Sequence, residues 1–346
     1  MASIGALELF HVYLGDQLGL YRALRDHGGA TPAELAAAAG VAERYGREWL
    51  EQQAVAGILE VVDDGGDDGA TRRYRLPDAH AEVLLDADSL SFLAPLAQGV
   101  VGIGGTVPKV AHAFRTGAGL PYPDYGADTR RFIERLNRPM FLGQLAQEWV
   151  PAVPTLEERL GAGPPARVAD LGCGTGWSSI AIALAYPGVH VDGFDLDEAS
   201  VAQANGNAEH AGVADQVTFA VRDASDPSLA GQYDLVCAFE TIHDMADPVG
   251  ALRTMRALAA PDAVVLVADE RVAEVFTAPG DAIERFNYGW SALHCLPVGL
   301  ADPPATGTGT VMRPSTLERY AKAAGFTAVE ILPIEHEFWR FYRLVG

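Results

Sequence analysis

The spacing of apolar positions divides the chain into three stretches. In Asp16–His27 the apolar residues Leu18, Leu20, Tyr21 and Leu24 recur at helical intervals, and Gly28-Gly29 ends the run. Thr31-Pro32-Ala33-Glu34 follows, with a capping Thr, Pro at the first helical position and Glu three residues after the cap. It predicts a short alanine-rich helix that stops at Gly40, and a third helix is predicted from Ala42 to Ala56. Ile58–Asp63 then alternates as a strand, Asp64–Ala70 is an acidic, glycine-rich turn, and Arg72–Leu76 returns as a second strand. Three helices and a hairpin in this order predict a winged helix over residues 1–98. Residues 99–154 form a second, mostly helical stretch, with helices predicted at Pro108–Thr116 and Asp128–Val150 around a Gly/Pro/Tyr loop at Gly117–Gly126.

A Pro- and Gly-rich boundary, Pro151–Pro165, precedes a change of period. Strands are predicted at Arg167–Leu171, His190–Phe194, Val217–Val221, Tyr233–Phe239 and Ala263–Ala268. Helices fall between them at Ser178–Tyr186, Glu198–Ala211 and Pro248–Ala259. This alternation predicts a doubly wound, Rossmann-like sheet over residues 155–346, so the fold class is α/β with a preceding α-helical winged-helix domain.

Composition narrows what such a chain can bind. The 346 residues carry 25 basic against 46 acidic side chains, a net charge of −21. A winged helix invites a DNA-binding reading, but residues 1–98 hold seven Arg and no Lys against sixteen acidic residues, a balance of −9. The expected wing tip, Asp63-Asp64-Gly65-Gly66-Asp67-Asp68, would repel phosphate, so no nucleic acid is expected as a partner. Cys173, Cys237 and Cys295 are odd in number and far apart, which argues against a disulfide framework and fits a reducing cytoplasm. No secretory signal and no apolar run of about 18 residues is visible, so no membrane association is expected.

The chemistry concentrates where strands end. Asp170-Leu171-Gly172-Cys173-Gly174-Thr175-Gly176 follows a strand and precedes a helix, which gives its Gly-x-Gly-x-Gly spacing meaning. The spacing is not that of pyrophosphate binders, and Asp170 beside the loop suits a cationic amino group. The second strand ends in Asp195, placed to accept two ribose hydroxyls, and the third in Asp223-Ala224, where a carboxylate can accept an adenine amine. Leu196 and Phe239 are apolar candidates for the adenine faces. Read alone, Asp223 is a loop cap.

Asp-Leu-Gly-Cys-Gly-Thr-Gly with Asp195 and Asp223 resembles class I methyltransferases that use S-adenosylmethionine, over about residues 166 to 346. With its winged-helix start the whole chain resembles the small-molecule O-methyltransferases, which include plant caffeic-acid-type and bacterial polyketide-tailoring enzymes and related actinobacterial proteins. The resemblance implies a homodimer through the winged helix, a helical roof over the site from residues 99–154, and a small acceptor molecule from secondary metabolism. Glu240-Thr241-Ile242-His243-Asp244-Met245-Ala246-Asp247 resembles the family's His-Asp-x-x-Asp stretch, which implies that His243 is the general base. Asp244 or Asp247 then orients the ring or caps the next helix, and Asp247-Pro248 favours the cap.

Departures from the family pattern are also visible. Phe239 stands where the family often has Lys, and the carboxylates that flank the family's His are matched only by rough position, at Glu270, Glu284 and Asn287. His294 belongs to the segment that lines the acceptor pocket in the family, and Tyr122, Tyr125, Phe141 and Trp290 are candidate lining residues. No pair of carboxylates at magnesium spacing accompanies the histidines, and no metal is expected. Nitrogen or carbon acceptors, a non-methylating cyclase, decarboxylase or hydroxylase, and a ligand-sensing winged-helix regulator remain alternatives at this point.

Overall fold

A helix not predicted from sequence, α1 (Ala2–Gln17), comes first, and after left-handed Gly19 the expected Asp16–His27 helix appears as α2 (Leu20–Asp26). The computed structural model describes residues 2–65, 69–161 and 165–346, so Gly66, Asp67 and Asp68 of the expected wing tip lie outside the described residues. Helix α3 (Pro32–Ala39) carries the expected capping box, in which the Thr31 hydroxyl accepts the Glu34 N–H and the Glu34 carboxylate accepts the Thr31 N–H. Helix α4 (Glu43–Val55) leads into the hairpin of β1 (Glu60–Asp63) and β2 (Arg73–Arg75), and α5 (Asp78–Leu85) closes this part. Leu20, Tyr21, Leu24, Leu35, Trp49, Leu50 and Tyr74 are buried together at its centre.

Five of the seven arginines of this winged helix are paired with carboxylates. Arg72 meets Glu51 and Asp64, Arg73 meets Glu34, and Arg75 meets Glu60. On α4, Arg44 meets Glu48 and Arg47 meets Glu51. Paired guanidinium groups on an acidic module are poor phosphate ligands. Ile4, Leu7, Phe10 and Leu14 are instead exposed along α1, with Leu18 just past its end, an apolar stripe at helical spacing.

By internal contacts the chain forms two units, residues up to Gly104 with Ala127–Pro139, and Gly105–Gly126 with Met140–Gly346. Helix α6 (Ala94–Thr116) runs through the boundary after Gly104, and helix α7 (Gly126–Met140) through those after Gly126 and Pro139. In the first unit, Arg135 on α7 donates two hydrogen bonds to Asp16, at 2.6 and 2.8 Å, and one to Gln98. Charge-assisted bonds of this kind are worth about 1.5–3 kcal/mol.

The second unit is built on a seven-stranded sheet. A π-helical segment (Phe141–Trp149) and α8 (Pro154–Gly161) lead into it. Its strands are β3 (Arg167–Leu171), β4 (His190–Asp195), β5 (Val217–Val221), β6 (Tyr233–Phe239), β7 (Ala259–Glu270), β8 (Ala328–Ile331) and β9 (Trp339–Val345). They lie in the order β5-β4-β3-β6-β7-β9-β8, parallel except for β9. The helices are α9 (Trp177–Ala185), α10 (Glu198–Ala211), α11 (Pro248–Leu258), α12 (Ala282–Trp290), α13 (Leu296–Gly299) and α14 (Pro314–Ala324), with a second π turn at Ser291–Cys295. The order reverses between β3 and β6, and open sheets of this kind place ligands at the carboxyl ends of the strands beside such a reversal.

Candidate active site

The glycine loop after β3 needs its glycines for two different reasons. Gly172, Gly174 and Gly176 all have positive φ, at 73°, 52° and 83°. A Cβ at Gly172 would lie 2.3 Å from the Thr241 hydroxyl, and one at Gly176 would lie 2.5 Å from the Phe219 ring. At Gly174 it would meet nothing within 4 Å. The loop is therefore packed against protein at both ends and bare at its middle, where a ligand can lie against the backbone.

Asp195, at the end of β4, holds that bare middle in place. One of its oxygens accepts the Gly174 N–H and the other accepts the Asp197 N–H, both at 2.8 Å. Burial pushes its carboxyl above the ordinary value, against the pull of these two donors. Next to it Leu196 is 63% exposed, an apolar surface at a strand end. Asp223 is exposed, and its Oδ1 accepts the N–H and hydroxyl of Ser225, as a loop cap does, while Ala224 is buried beside it.

Three sequence expectations need correction. Asp170 does not offer its carboxylate to a cationic ligand. It is fully buried, accepts the hydroxyls of Ser178 and Ser179 at 2.5 and 2.7 Å, and so ties the start of α9 to β3. Burial raises its pKa despite those hydroxyls. Phe239 and Phe141 are core residues. Their rings lie 5.5 Å apart in a cluster with Trp149 and Trp339, which leaves neither of them a free face for adenine or acceptor.

His243 sits in the turn between β6 and α11, where Asp247 caps the helix by accepting the Gly250 N–H. The turn begins at Glu240 with the left-handed backbone (φ 55°) that non-glycine residues rarely adopt. It is fastened where the His243 carbonyl accepts the Gly309 N–H and the Ala246 carbonyl accepts the Thr306 N–H. The His243 ring is 2% exposed, and its Nδ1 meets Asp269 Oδ1 at 2.7 Å. A carboxylate only accepts, so Nδ1 carries the hydrogen, and in the neutral ring the lone pair lies on Nε2.

The partner of His243 is thus Asp269 at the end of β7, not Asp244 or Asp247. Asp269 Oδ1 also accepts the Glu270 N–H, while its buried Oδ2 has no hydrogen-bond partner. Burial alone would lower the imidazole pKa, but the Asp269 carboxylate and, after it, Cys295 outweigh burial and hold His243 well above the ordinary value. Asp244 is partly buried, and loss of solvent pushes its carboxyl up to about 7 although His243 pulls the other way. Burial and the neighbouring Glu240 hold Glu270 well above the carboxylate range.

The second π turn delivers His294 and Cys295. His294 is buried against the rings of Tyr125 and Tyr122, at 4.5 and 5.8 Å. Its Nδ1 lies 3.4 Å from Cys295 Sγ, its Nε2 is unpartnered, and burial lowers its pKa to about 3, so it is neutral. Cys295 Sγ, a donor atom of His243 and a carboxylate oxygen of Asp244 lie within 4.8 Å of one another. Asn287 is buried with its Nδ2 unpartnered, and Trp290 stacks edge-on with Phe286. Glu284 is structural: it accepts the Ala273 N–H and pairs with Arg313 at 2.7 Å.

The sign of the His243 shift sets a test. A raised imidazole pKa stabilises the fold below the unfolded value, and that contribution is lost as pH rises through the folded one. Asp269→Asn removes the carboxylate that raises it, so the His243 ring resonance in a nuclear magnetic resonance titration should move to a lower midpoint than in the parent protein. An unchanged midpoint would mean that another group holds the proton.

Residues 141–331, more than half of the chain, match the family model described as a methyltransferase domain, and residues 5–85 match an Rv2258c-like winged HTH domain. Norajmaline N-methyltransferase of Rauvolfia serpentina is 34% identical over 104 residues, 30% of this chain and 35% of that protein. A ubiquinone biosynthesis O-methyltransferase of Aromatoleum aromaticum is 29% identical over 49% of this chain and 68% of its own length. The chain spans only about a third to two-fifths of the first curated relatives it matches. Human N-acetylserotonin methyltransferase, solved with S-adenosylmethionine, shares the fold across 100% of this chain and 96% of its own, with a TM-score of 0.72 at 17% identity. The chain belongs to the methyltransferase domain family.

Proposed function

We propose that the chain transfers a methyl group from S-adenosylmethionine to an oxygen of a small secondary metabolite. The observation that carries this reading is the buried His243–Asp269 pair, set beside a glycine loop that is bare at Gly174 and held by Asp195. In this reading Asp195 accepts the ribose hydroxyls, Asp223 the adenine amine, and Leu196 covers one adenine face. Asp170 acts from behind by fixing β3 to α9. When bound, S-adenosylmethionine supplies a methyl carbon already activated by its sulfonium, so the protein's task is alignment, exclusion of water and removal of one proton.

His243 removes that proton. Asp269 fixes the Nδ1–H tautomer and leaves Nε2 to accept from the acceptor hydroxyl. The unpartnered Asn287 Nδ2 and His294 Nε2 fit an acceptor that carries further polar atoms, because each buried polar atom left unpaired costs about 1–3 kcal/mol. An amine acceptor is the second reading, favoured by the similarity to an N-methyltransferase.

The winged helix then serves assembly. Most of its arginines are paired with carboxylates while the stripe of Ile4, Leu7, Phe10 and Leu14 on α1, with Leu18 just beyond it, is exposed, so we assign that stripe to a homodimer contact. Sedimentation should show a dimer that becomes a monomer in Leu7→Glu/Leu14→Glu; a monomeric parent protein would end this assignment.

Methyl transfer is tested by product analysis. Candidate acceptors should give one S-adenosylhomocysteine per product, and conversion without it would leave only a non-methylating enzyme. Asp195→Ala should abolish S-adenosylmethionine binding in calorimetry. His243→Ala should keep that binding and lose about 10²–10⁴-fold in turnover. Full turnover in His243→Ala would remove His243 from the chemistry.

A further inference from the structure

The geometry points to a second capacity of the same corner: His243, Asp244 and Cys295 form a binding site for a thiophilic divalent cation, zinc by preference. Their donor atoms lie within 4.8 Å of one another, and His243 and Cys295 are buried. Zinc bonds of about 2.0–2.3 Å in a tetrahedral arrangement place ligand atoms about 3.3–3.8 Å apart, so the widest donor separation has to close by no more than about 1.5 Å. The donor set of one imidazole, one thiolate and one carboxylate suits zinc, and it lacks the oxygen-rich shell that magnesium or calcium demands.

A chance meeting of three side chains would lack supporting contacts, and this one has them. His243 donates its Nδ1–H to Asp269 at 2.7 Å, which turns Nε2 and its lone pair to the metal. This carboxylate–histidine arrangement recurs behind zinc ligands, where it fixes the ring and strengthens the donor. His294 Nδ1 lies 3.4 Å from Cys295 Sγ, in place to donate to the thiolate. His294 is buried and its Nε2 has no partner, so its ring is oriented on the sulfur rather than by another hydrogen bond.

The three ligands come from two elements far apart in sequence that the fold holds together. His243 and Asp244 lie in the turn after β6, while the π turn carries Cys295. Gly309 fastens the first of these through the His243 carbonyl, and the space for its approach is small, since a Cβ at Gly309 would lie 2.4 Å from the Ser291 hydroxyl at the start of the π turn. Three protein ligands leave one tetrahedral position for water or another donor. Metal binding consumes the Nε2 lone pair that methyl transfer uses as base. The two uses are therefore mutually exclusive, and zinc is an inhibitor in this proposal.

Cobalt(II), which takes zinc positions and reports its ligands in the visible spectrum, tests the site on the full chain without S-adenosylmethionine or acceptor. One equivalent should produce a thiolate-to-cobalt charge-transfer band together with the intense d–d bands of a tetrahedral ion, and zinc should displace both. Cys295→Ser should lose the charge-transfer band, and Asp269→Asn should weaken binding by about 10–100-fold, the usual cost of removing a supporting contact. Circular dichroism establishes that each variant is folded, and Asp244→Asn supplies a second ligand variant if Cys295→Ser is not. Absence of the band in the parent protein, or its persistence in folded Cys295→Ser, overturns the site. Because the readout needs no turnover, its failure leaves the methyl-transfer reading standing, and failure of methyl transfer leaves the metal site standing.

Discussion

The contact between His243 and Asp269 is the constraint on which the active corner of this protein depends. A carboxylate at 1% exposure and an imidazole at 2% are both out of water, and neither is tolerated there alone. Each therefore needs the other, and the 2.7 Å bond fixes the end of β7 against the turn after β6. That turn begins at Glu240, whose φ of 55° is a left-handed backbone that non-glycine residues rarely adopt. Removing one partner leaves the other buried and unpaired, so the pair matters more for geometry than for net stability.

The same rule runs along the carboxyl edge of the sheet. Asp170 is repaid by two serine hydroxyls, Asp195 by two backbone N–H groups, and Asp269 by an imidazole and a backbone N–H. None of these carboxylates has an arginine or lysine as its hydrogen-bond donor, although the chain's surface ion pairs use arginine freely. Backbone and hydroxyl donors hold a carboxylate in position without cancelling its charge.

How much of this was legible follows from how far apart the interacting residues lie. The alternation of strands and helices, the glycine loop and the Asp247 cap are local patterns, and the structure contains them at the positions read from sequence. Asp269 was illegible as the partner of His243 because 26 residues separate them and only the register of β6 against β7 brings them together. Cys295 was hidden in the same way, in a π turn that no periodicity announces. Asp170, Phe239 and Phe141 erred in the opposite direction. Their residue types suit a ligand, but burial assigns them to the frame, and burial is a property of packing that spacing does not carry.

A raised imidazole pKa has a cost and a benefit that the site has to balance. Asp269 makes the neutral ring a stronger base, which helps it take a proton from a weakly acidic hydroxyl. The same stabilisation leaves fewer molecules with a neutral ring at a given pH. Asp244, pushed up to about 7, loses more of its charge near neutrality than an ordinary carboxylate, which limits how far it adds to the pull of Asp269 on the ring. Cys295 supplies a third titrating neighbour, and burial keeps it as the neutral thiol longer than an exposed cysteine. The ring is thus governed chiefly by Asp269, and that single carboxylate decides both which nitrogen faces the acceptor and how strongly it draws a proton.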